Sequence, residues 1–206
     1  MGGAPEALIL ARAGPVQCGV NRADDNTMNP PARYTRTAIA LHWLLALAIV
    51  ATFSLGLYMH ELPETPQRDQ LYGWHKSAGV CILALSALRL LWRLTHRPPA
   101  EVAMPRWQAR AARGVHWLMY ALFFGVPLSG WAYSSAAGHP VVLFGALPLP
   151  DFVPVGQALA DATKVLHQVF GTALGLLVIG HVAAALKHHW VDRDGLLSRM
   201  SPRRGG

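Results

Sequence analysis

The sequence predicts an all-α integral membrane protein, a four-helix bundle with both termini on the cytoplasmic side of the membrane. Hydrophobic residues make up 52% of the chain and charged residues only 14%. The apolar residues are gathered into four runs, each near the length of about 20 residues that a helix needs to cross a bilayer. Lysine and arginine are distributed unevenly among the segments between the runs. The alternative, a soluble protein with long buried helices, is disfavoured by the low charged fraction and by the lengths of the runs.

The first predicted span covers residues 37–59, where little except His42 interrupts the apolar run. The second begins at residue 71 or 74 and ends at 92, and the third covers about 115–135. The fourth covers about 164–187. The second and fourth runs are less purely apolar than the first, so the pattern defines their ends only to within a few residues.

The distribution of positive charge predicts the orientation, because cytoplasmic flanks carry an excess of lysine and arginine. With the N-terminus inside, the inner face holds Arg33, Arg36, the arginines of residues 89–113 and the tail 187–204, whereas the outer side holds only Arg68, Lys76 and Lys164. The net charge of +7 is then explained by topology and by contact with membrane lipid. We therefore expect no nucleic-acid partner.

Residues 1–32 do not share the pattern of the rest. They contain Gly, Pro, two adjacent aspartates and Cys18, and their apolar segment 7–13 is too short to span a membrane. Met28 opens a stretch that would serve as a start. We interpret residues 1–32 as a disordered extension or the result of a misassigned start codon, with a short interfacial helix as the alternative. Residues 33–206 form the predicted membrane domain.

Four histidines lie inside the apolar runs, where an ionisable group is costly and usually marks a functional site. His167 and His181 are 14 residues apart, close to four helical turns, so they share one face and are separated by about 21 Å along the axis. His42 enters the first span from the inside, at the depth of His181, and His75 begins the second span at the depth of His167. The predicted pairs are His42 with His181 and His75 with His167.

Two facing imidazoles in a bundle core suit the axial positions of haem iron, whereas zinc needs four close ligands. Gly79 and Gly171 each lie one turn beyond a histidine, where a glycine would leave room for a flat macrocycle, although glycine also serves close helix packing. His116 starts the third span at the inner depth and is an alternative inner ligand. The sequence has no Cys-x-x-Cys-His motif, which excludes a covalently attached c-type haem.

Several motifs resemble those of the bacterial dihaem cytochrome b561 family. They are residues 33–36 (RYTR), 40–44 (ALHWL), 73–79 (GWHKSAG), 166–167 (LH), 180–189 (GHVAAALKHH) and 196–203 (LLSRMSPR). The resemblance covers about residue 33 to the C-terminus, and the motifs are specific in combination although each alone is weak. It implies a four-helix membrane bundle with two b haems, whose iron ligands fall on His42, His75, His167 and His181.

The resemblance also implies a function. Family members are associated with ubiquinone as electron acceptor or donor and with oxidation of superoxide to oxygen, so we expect a superoxide:ubiquinone oxidoreductase of the bacterial inner membrane. Lys76 and Lys164 would attract the superoxide anion near the outer haem; ordinary interfacial anchoring is their simpler role. The alternative partner is a periplasmic redox protein that docks on the proline-rich loop 138–164. A histidine-lined metal transporter is a third hypothesis.

Overall fold

Four long helices dominate the computed structural model, which describes residues 33–100 and 104–201. The prediction for residues 1–32 lies outside the described residues. The helices are α1 (Arg36–His60), α2 (Pro66–Thr95), α3 (Arg106–Ala136) and α4 (Gln157–Lys187). A two-stranded antiparallel hairpin of β1 (Val142–Leu143) and β2 (Leu147–Pro148) lies between α3 and α4. After α4 the chain makes a π-helical turn (His188–Asp192) and a 3₁₀ turn (Leu197–Met200).

The helices extend beyond the apolar runs, and the first two begin at side-chain capping groups rather than at the first apolar residue. The hydroxyl of Thr35 accepts a hydrogen bond from the Ala38 amide and begins α1. Thr65 caps α2 in the same way, with Pro66 in the first turn, where its missing N–H and fixed φ fit a helix start. The predicted helices are confirmed, and each of them is longer than its apolar run.

Within the described residues, three helices are long and apolar enough to cross a membrane: α1, α2 and α4 with its continuation to Asp192. The third predicted span is not among them, although α3 has 31 residues. Its sequence carries Pro127 and several serines, glycines and aromatic residues with polar tips. Many α3 side chains are buried between neighbouring helices, so the helix needs less apolar surface towards lipid.

Extensive packing joins helices that follow one another in the chain: α1 with α2, α2 with α3 and α3 with α4. The buried core lies midway along the bundle, between the depth of His42 and His181 and the depth of His75 and His167. On α4, for example, Leu174 lies halfway between the two histidines and is 5% exposed. The buried core cluster consists of Leu45, Ile49, Ile82, Met119, Tyr120, Leu122, Phe123 and Leu174.

Candidate functional site

The four predicted histidines meet in two separate pairs, as the depth argument anticipated. His75 of α2 faces His167 of α4, with ring centroids 6.2 Å apart and an angle of 86° between the ring planes. His42 of α1 faces His181 of α4, with centroids 6.3 Å apart and an angle of 72°. All four residues are half-buried. The two separations agree closely although α4 pairs with α2 in one case and with α1 in the other.

The tautomer of His167 is set by the neighbouring helix. Its Nδ1 lies 2.9 Å from the backbone carbonyl oxygen of Val126 on α3. A carbonyl oxygen can only accept, so Nδ1 carries the proton and donates it, which leaves the lone pair of Nε2 available to a metal. Histidines that bind metals commonly donate their second ring N–H to a carbonyl or carboxylate in this way.

Two glycines give the His75–His167 pair its space. A Cβ atom built on Gly130 of α3 would lie 2.9 Å from Cε1 of His167, and one on Gly56 of α1 would lie 3.1 Å from Cε1 of His75. Contacts that short require the ring to move. Glycine at these positions therefore lets the backbones of α1 and α3 approach the two imidazoles closely.

His75 has a buried polar atom that no described residue satisfies. A backbone group of Thr52 on α1 interacts with this ring, but Nδ1 is buried and makes no hydrogen bond of regular geometry with the described residues. Burying such an atom costs free energy unless a partner is supplied. The imidazole is thus placed for a role other than packing.

The second pair lies in a cationic setting that contains a third imidazole. His116 of α3 approaches His181 with ring centroids 5.5 Å apart. Arg89 of α2 interacts electrostatically with His42, His116 and His181. Its Nη1 atom is buried and has no hydrogen-bond partner among the described residues. A buried cation of this kind is suited to an anionic group such as a carboxylate.

The two pairs fit the axial ligation of haem iron. Metal–imidazole bonds of about 2 Å on opposite sides of one iron place two ring centres roughly 6 Å apart, in agreement with the two separations. The His116–His181 distance is shorter, so the geometry favours His42 as the partner of His181. The two histidine pairs join α1 to α4 and α2 to α4. These helix pairs are not the extensively packed ones. A Cβ atom on Gly79 or Gly171 would meet no other described atom within 4 Å outside its own helical turn, which leaves space where the macrocycle was predicted.

The two predicted lysines differ in their surroundings. Lys76 is half-buried, and its Nζ donates to the carbonyl oxygen of His139 in the α3–α4 loop at 3.1 Å. Asp151 of the same loop interacts electrostatically with it. Lys164 is exposed. The ammonium group of Lys76 therefore holds the loop against α2, and Lys164 is the more accessible of these two positive charges.

Several residues of the site were not identified from the sequence. The carbonyl of Val126, the close approaches at Gly56 and Gly130, and the cation of Arg89 all depend on how non-adjacent helices meet. A glycine inside an apolar run is a weak signal, and no spacing relates Gly56 or Gly130 to the histidines. Arg89 offered the one usable clue, because a charged residue inside a predicted span usually has a functional partner.

Comparison with known proteins gives a consistent result. The profile of the family described as prokaryotic cytochrome b561 matches residues 33–203. Cytochrome b561 homolog 2 of Escherichia coli K12 is 33% identical over 183 residues, which cover 84% of this chain and 93% of that protein. The probable superoxide oxidase CybB of Yersinia pestis is 30% identical over 176 residues, covering 84% and 98%. Cytochrome b561 homolog 1 of Escherichia coli K12 is 29% identical over 174 residues, covering 84% and 98%.

Proposed function

Because the chain belongs to the prokaryotic cytochrome b561 family of electron-transferring membrane b-type cytochromes, we propose that it binds two b haems and exchanges electrons with ubiquinone in the bacterial inner membrane. The observation that best supports this proposal is the similar distance between the ring centroids within each histidine pair, 6.2 Å in one and 6.3 Å in the other. His75 with His167 would hold one haem, and His42 with His181 the other. When bound, the haems would supply reversible one-electron oxidation and reduction.

The protein's own residues define what chemistry is open to such a site. His75 with His167 and His42 with His181 would occupy both sides of the bound iron, so a substrate would have no position on the metal and electrons would be exchanged at the edge of the group. The carbonyl of Val126 holds the His167 ring at Nδ1, which leaves the lone pair of Nε2 available to a metal. Arg89 adds a positive charge beside the second pair, and a neighbouring cation favours the more negative, reduced state of a redox centre.

The specific reaction we propose is oxidation of superoxide with reduction of ubiquinone. Two superoxide anions each lose one electron and leave as oxygen, and one ubiquinone accepts both electrons together with two protons. The support is the 30% identity to a probable superoxide oxidase over most of both chains. The orientation we propose, with both termini in the cytoplasm, places the His75–His167 pair and the exposed Lys164 on the outer side.

A redox-difference spectrum of the purified full chain, combined with haem extraction, tests the cofactor part. The expected result is two low-spin b haems per chain, and a single haem or a high-spin ferric spectrum would contradict the two-pair assignment. Absence of any visible absorption together with metal flux in vesicles would instead favour the histidine-lined metal transporter.

Superoxide-driven reduction of the holoprotein, with ubiquinone added, tests the reaction. Lys164→Gln should slow reduction and flatten its salt dependence, because steering of an anion by charge weakens as ionic strength rises. Quinol-driven reduction is the matched control and should change far less. If superoxide does not reduce the wild-type protein while quinol does, a periplasmic redox protein becomes the favoured partner.

A further inference from the structure

The hairpin between α3 and α4, residues 141–149, has a fixed base. Val141 is 2% exposed, and its carbonyl oxygen accepts a hydrogen bond from the Leu149 amide at 2.8 Å. The tip is attached to α2, because the Phe144 amide donates to the hydroxyl oxygen of Ser77 at 3.0 Å. That hydroxyl in turn donates to the carbonyl of Gly73 at 2.9 Å. The hairpin is therefore held in a defined position rather than free at the surface.

The tip carries an aromatic residue in an unfavourable backbone conformation. Phe144 has φ +51° and Gly145 has φ +72°, the two left-handed positions of a tight hairpin turn. Glycine adopts this conformation freely, but a bulky side chain is disfavoured there and is a genuine outlier. Backbone conformations of this kind persist where the surrounding structure holds them, and they cluster at functional sites.

The phenyl ring belongs to an exposed apolar surface. Phe144 is 68% exposed and Leu147 56%. Along the rest of the loop, Phe152 is 53% and Val155 73% exposed. Residues 140–156 contain a single charged side chain, Asp151. Exposed patches of large apolar residues with little charge mark a surface that contacts a membrane or a partner.

The level of the hairpin along the bundle favours the membrane. Its anchor, Ser77, lies six residues beyond Leu71, where the apolar part of α2 begins, and this is about 9 Å along the helix. The tip is thus level with the outer part of a spanning helix rather than beyond its end. Trp74 of α2 is also exposed, at 62%. The loop packs on α3 through Phe152, whose ring centroid lies 5.3 Å from that of the half-buried Trp131.

We propose that the α3–α4 hairpin inserts its tip into the adjacent membrane leaflet, with Phe144 and Leu147 at the boundary between headgroups and acyl chains. The depth is limited because a two-residue ladder leaves backbone groups unpaired, and these are not tolerated in the hydrocarbon core. Aromatic side chains are enriched at this boundary. This proposal goes beyond the electron-transfer function and does not rest on it.

Site-directed fluorescence quenching in the full haem-loaded chain tests the insertion. In a background with Cys18→Ser and Cys81→Ser, single cysteines at Phe144→Cys, Glu64→Cys and Leu47→Cys would each carry an environment-sensitive dye. The protein would be placed in vesicles of phosphatidylethanolamine and phosphatidylglycerol that contain phosphatidylcholine with a nitroxide high on the acyl chain. Glu64 is the aqueous control, with its side chain 95% exposed, and Leu47, 70% exposed in the middle of α1, is the lipid control.

The label at position 144 should be quenched by the nitroxide lipid. Its quenching by aqueous iodide should be at least about threefold weaker than that of the label at position 64, because an interfacial side chain is withdrawn from water. Leu147→Cys repeats the measurement if a cysteine at position 144 disturbs the turn. Iodide quenching at both tip positions equal to that at position 64 would overturn the proposal. So would protection from both quenchers, which would place a protein surface, such as a second copy of the chain, over the hairpin.

Discussion

The imidazole of His167 donates from Nδ1 to the backbone carbonyl oxygen of Val126, 2.9 Å away on the neighbouring helix. A side chain that is aimed by a backbone group keeps its direction when nearby side chains change. The backbone of α3 therefore orients the imidazole of His167, a candidate ligand on α4. This is a second role for α3, in addition to filling the bundle core.

The two histidine pairs predict which substitutions act together. His75→Ala and His167→Ala should remove the same haem, and His42→Ala and His181→Ala should remove the other, because each haem needs both axial ligands. Extraction should show a fall from two haems to one in every variant, and potentiometric titration should show which component is lost. Loss of the same component in His75→Ala and His42→Ala would contradict the pairing.

His116 supplies the control for the second pair. Its ring is 5.5 Å from that of His181, compared with 6.3 Å for His42. His116→Ala should retain both haems and change only the potential of the component that depends on His42. If His116→Ala lost a haem while His42→Ala kept two, His116 would be the ligand on α3.

The close approach at Gly130 predicts a sterically sensitive position. In Gly130→Ala the added methyl group would lie 2.9 Å from Cε1 and 3.0 Å from Nδ1 of His167, so the ring must shift. Overpacking of this kind typically costs about 1–3 kcal/mol. Thermal release of the haem that we propose His75 and His167 hold should occur at a lower temperature than in wild type.

Gly114→Ala is the matched control for Gly130→Ala. It lies on the same helix, and its added methyl group would meet no other described atom within 4 Å outside its own turn. If both variants released haem at the same temperature, the close approach of Gly130 to His167 would not contribute to haem binding.

The open space at Gly79 allows a test of where the macrocycle lies. Within the protein an alanine at position 79 meets no other described atom within 4 Å outside its own turn, and alanine favours a helix over glycine by up to about 1 kcal/mol. Gly79→Ala should therefore leave the haem-free protein as stable as wild type, or more stable. If a macrocycle lies against α2 at this level, the same variant should bind the adjacent haem more weakly.

Gly73→Ala serves as the comparison for Gly79→Ala, since it is also on α2 and equally unobstructed. Haem titration of the two haem-free proteins, followed by absorbance, gives the affinities. The same affinity in both variants would place the macrocycle away from Gly79.

The sequence predicted those features that depend on a pattern within one segment of the chain. Four helices and the shared face of His167 and His181 follow from run length and helical repeat, and opposite helix direction gives the depths of His42 and His75. Helix direction also predicted the two histidine pairs, but contacts that depend on the detailed crossing of helices could not be derived. The carbonyl of Val126 is chemically like every other carbonyl, and only the crossing of α3 and α4 brings it to His167. The lower hydropathy of α3 also depends on contacts between helices. Because many of its side chains are buried against neighbouring helices, α3 does not need a continuous apolar run.

The C-terminal segment offers the last prediction, which concerns pH. Burial tends to raise the pKa of Asp194, but the backbone N–H of Leu196 and the ring of His188 stabilise the carboxylate and give a net lowering. The carboxylate oxygens lie 3.0 Å from the Leu196 amide nitrogen and 2.6 Å from Nδ1 of His188. Because the pKa of Asp194 is lowered in the folded state, the ionised carboxylate stabilises that state fully above the ordinary aspartate pKa. This stabilisation is lost as the pH falls through the pKa of the folded state.

Asp194 stands where the chain turns back across the bundle, so its protonation should release the segment that follows. That segment is held at Ser198 by the guanidinium of Arg33 and at Met200 by the indole N–H of Trp43, each at 2.9 Å. Hydrogen bonds to a charged group contribute about 1.5–3 kcal/mol, so Asp194→Asn should raise the released fraction roughly tenfold at pH 6.

Spin labels at Arg97→Cys and Leu197→Cys, in the same cysteine-free background, would report the position of this segment by pulsed electron paramagnetic resonance. The distance distribution of the wild-type chain should be narrow at pH 6 and should broaden only as the pH falls below the ordinary aspartate pKa. In Asp194→Asn the released fraction should already be larger at pH 6 and should change less on acidification. Glu61→Gln, which alters an exposed carboxylate at the other end of the bundle, controls for general acid effects and should follow wild type. A distribution as narrow in Asp194→Asn as in the wild-type chain at pH 6 would show that the carboxylate does not hold the segment in place.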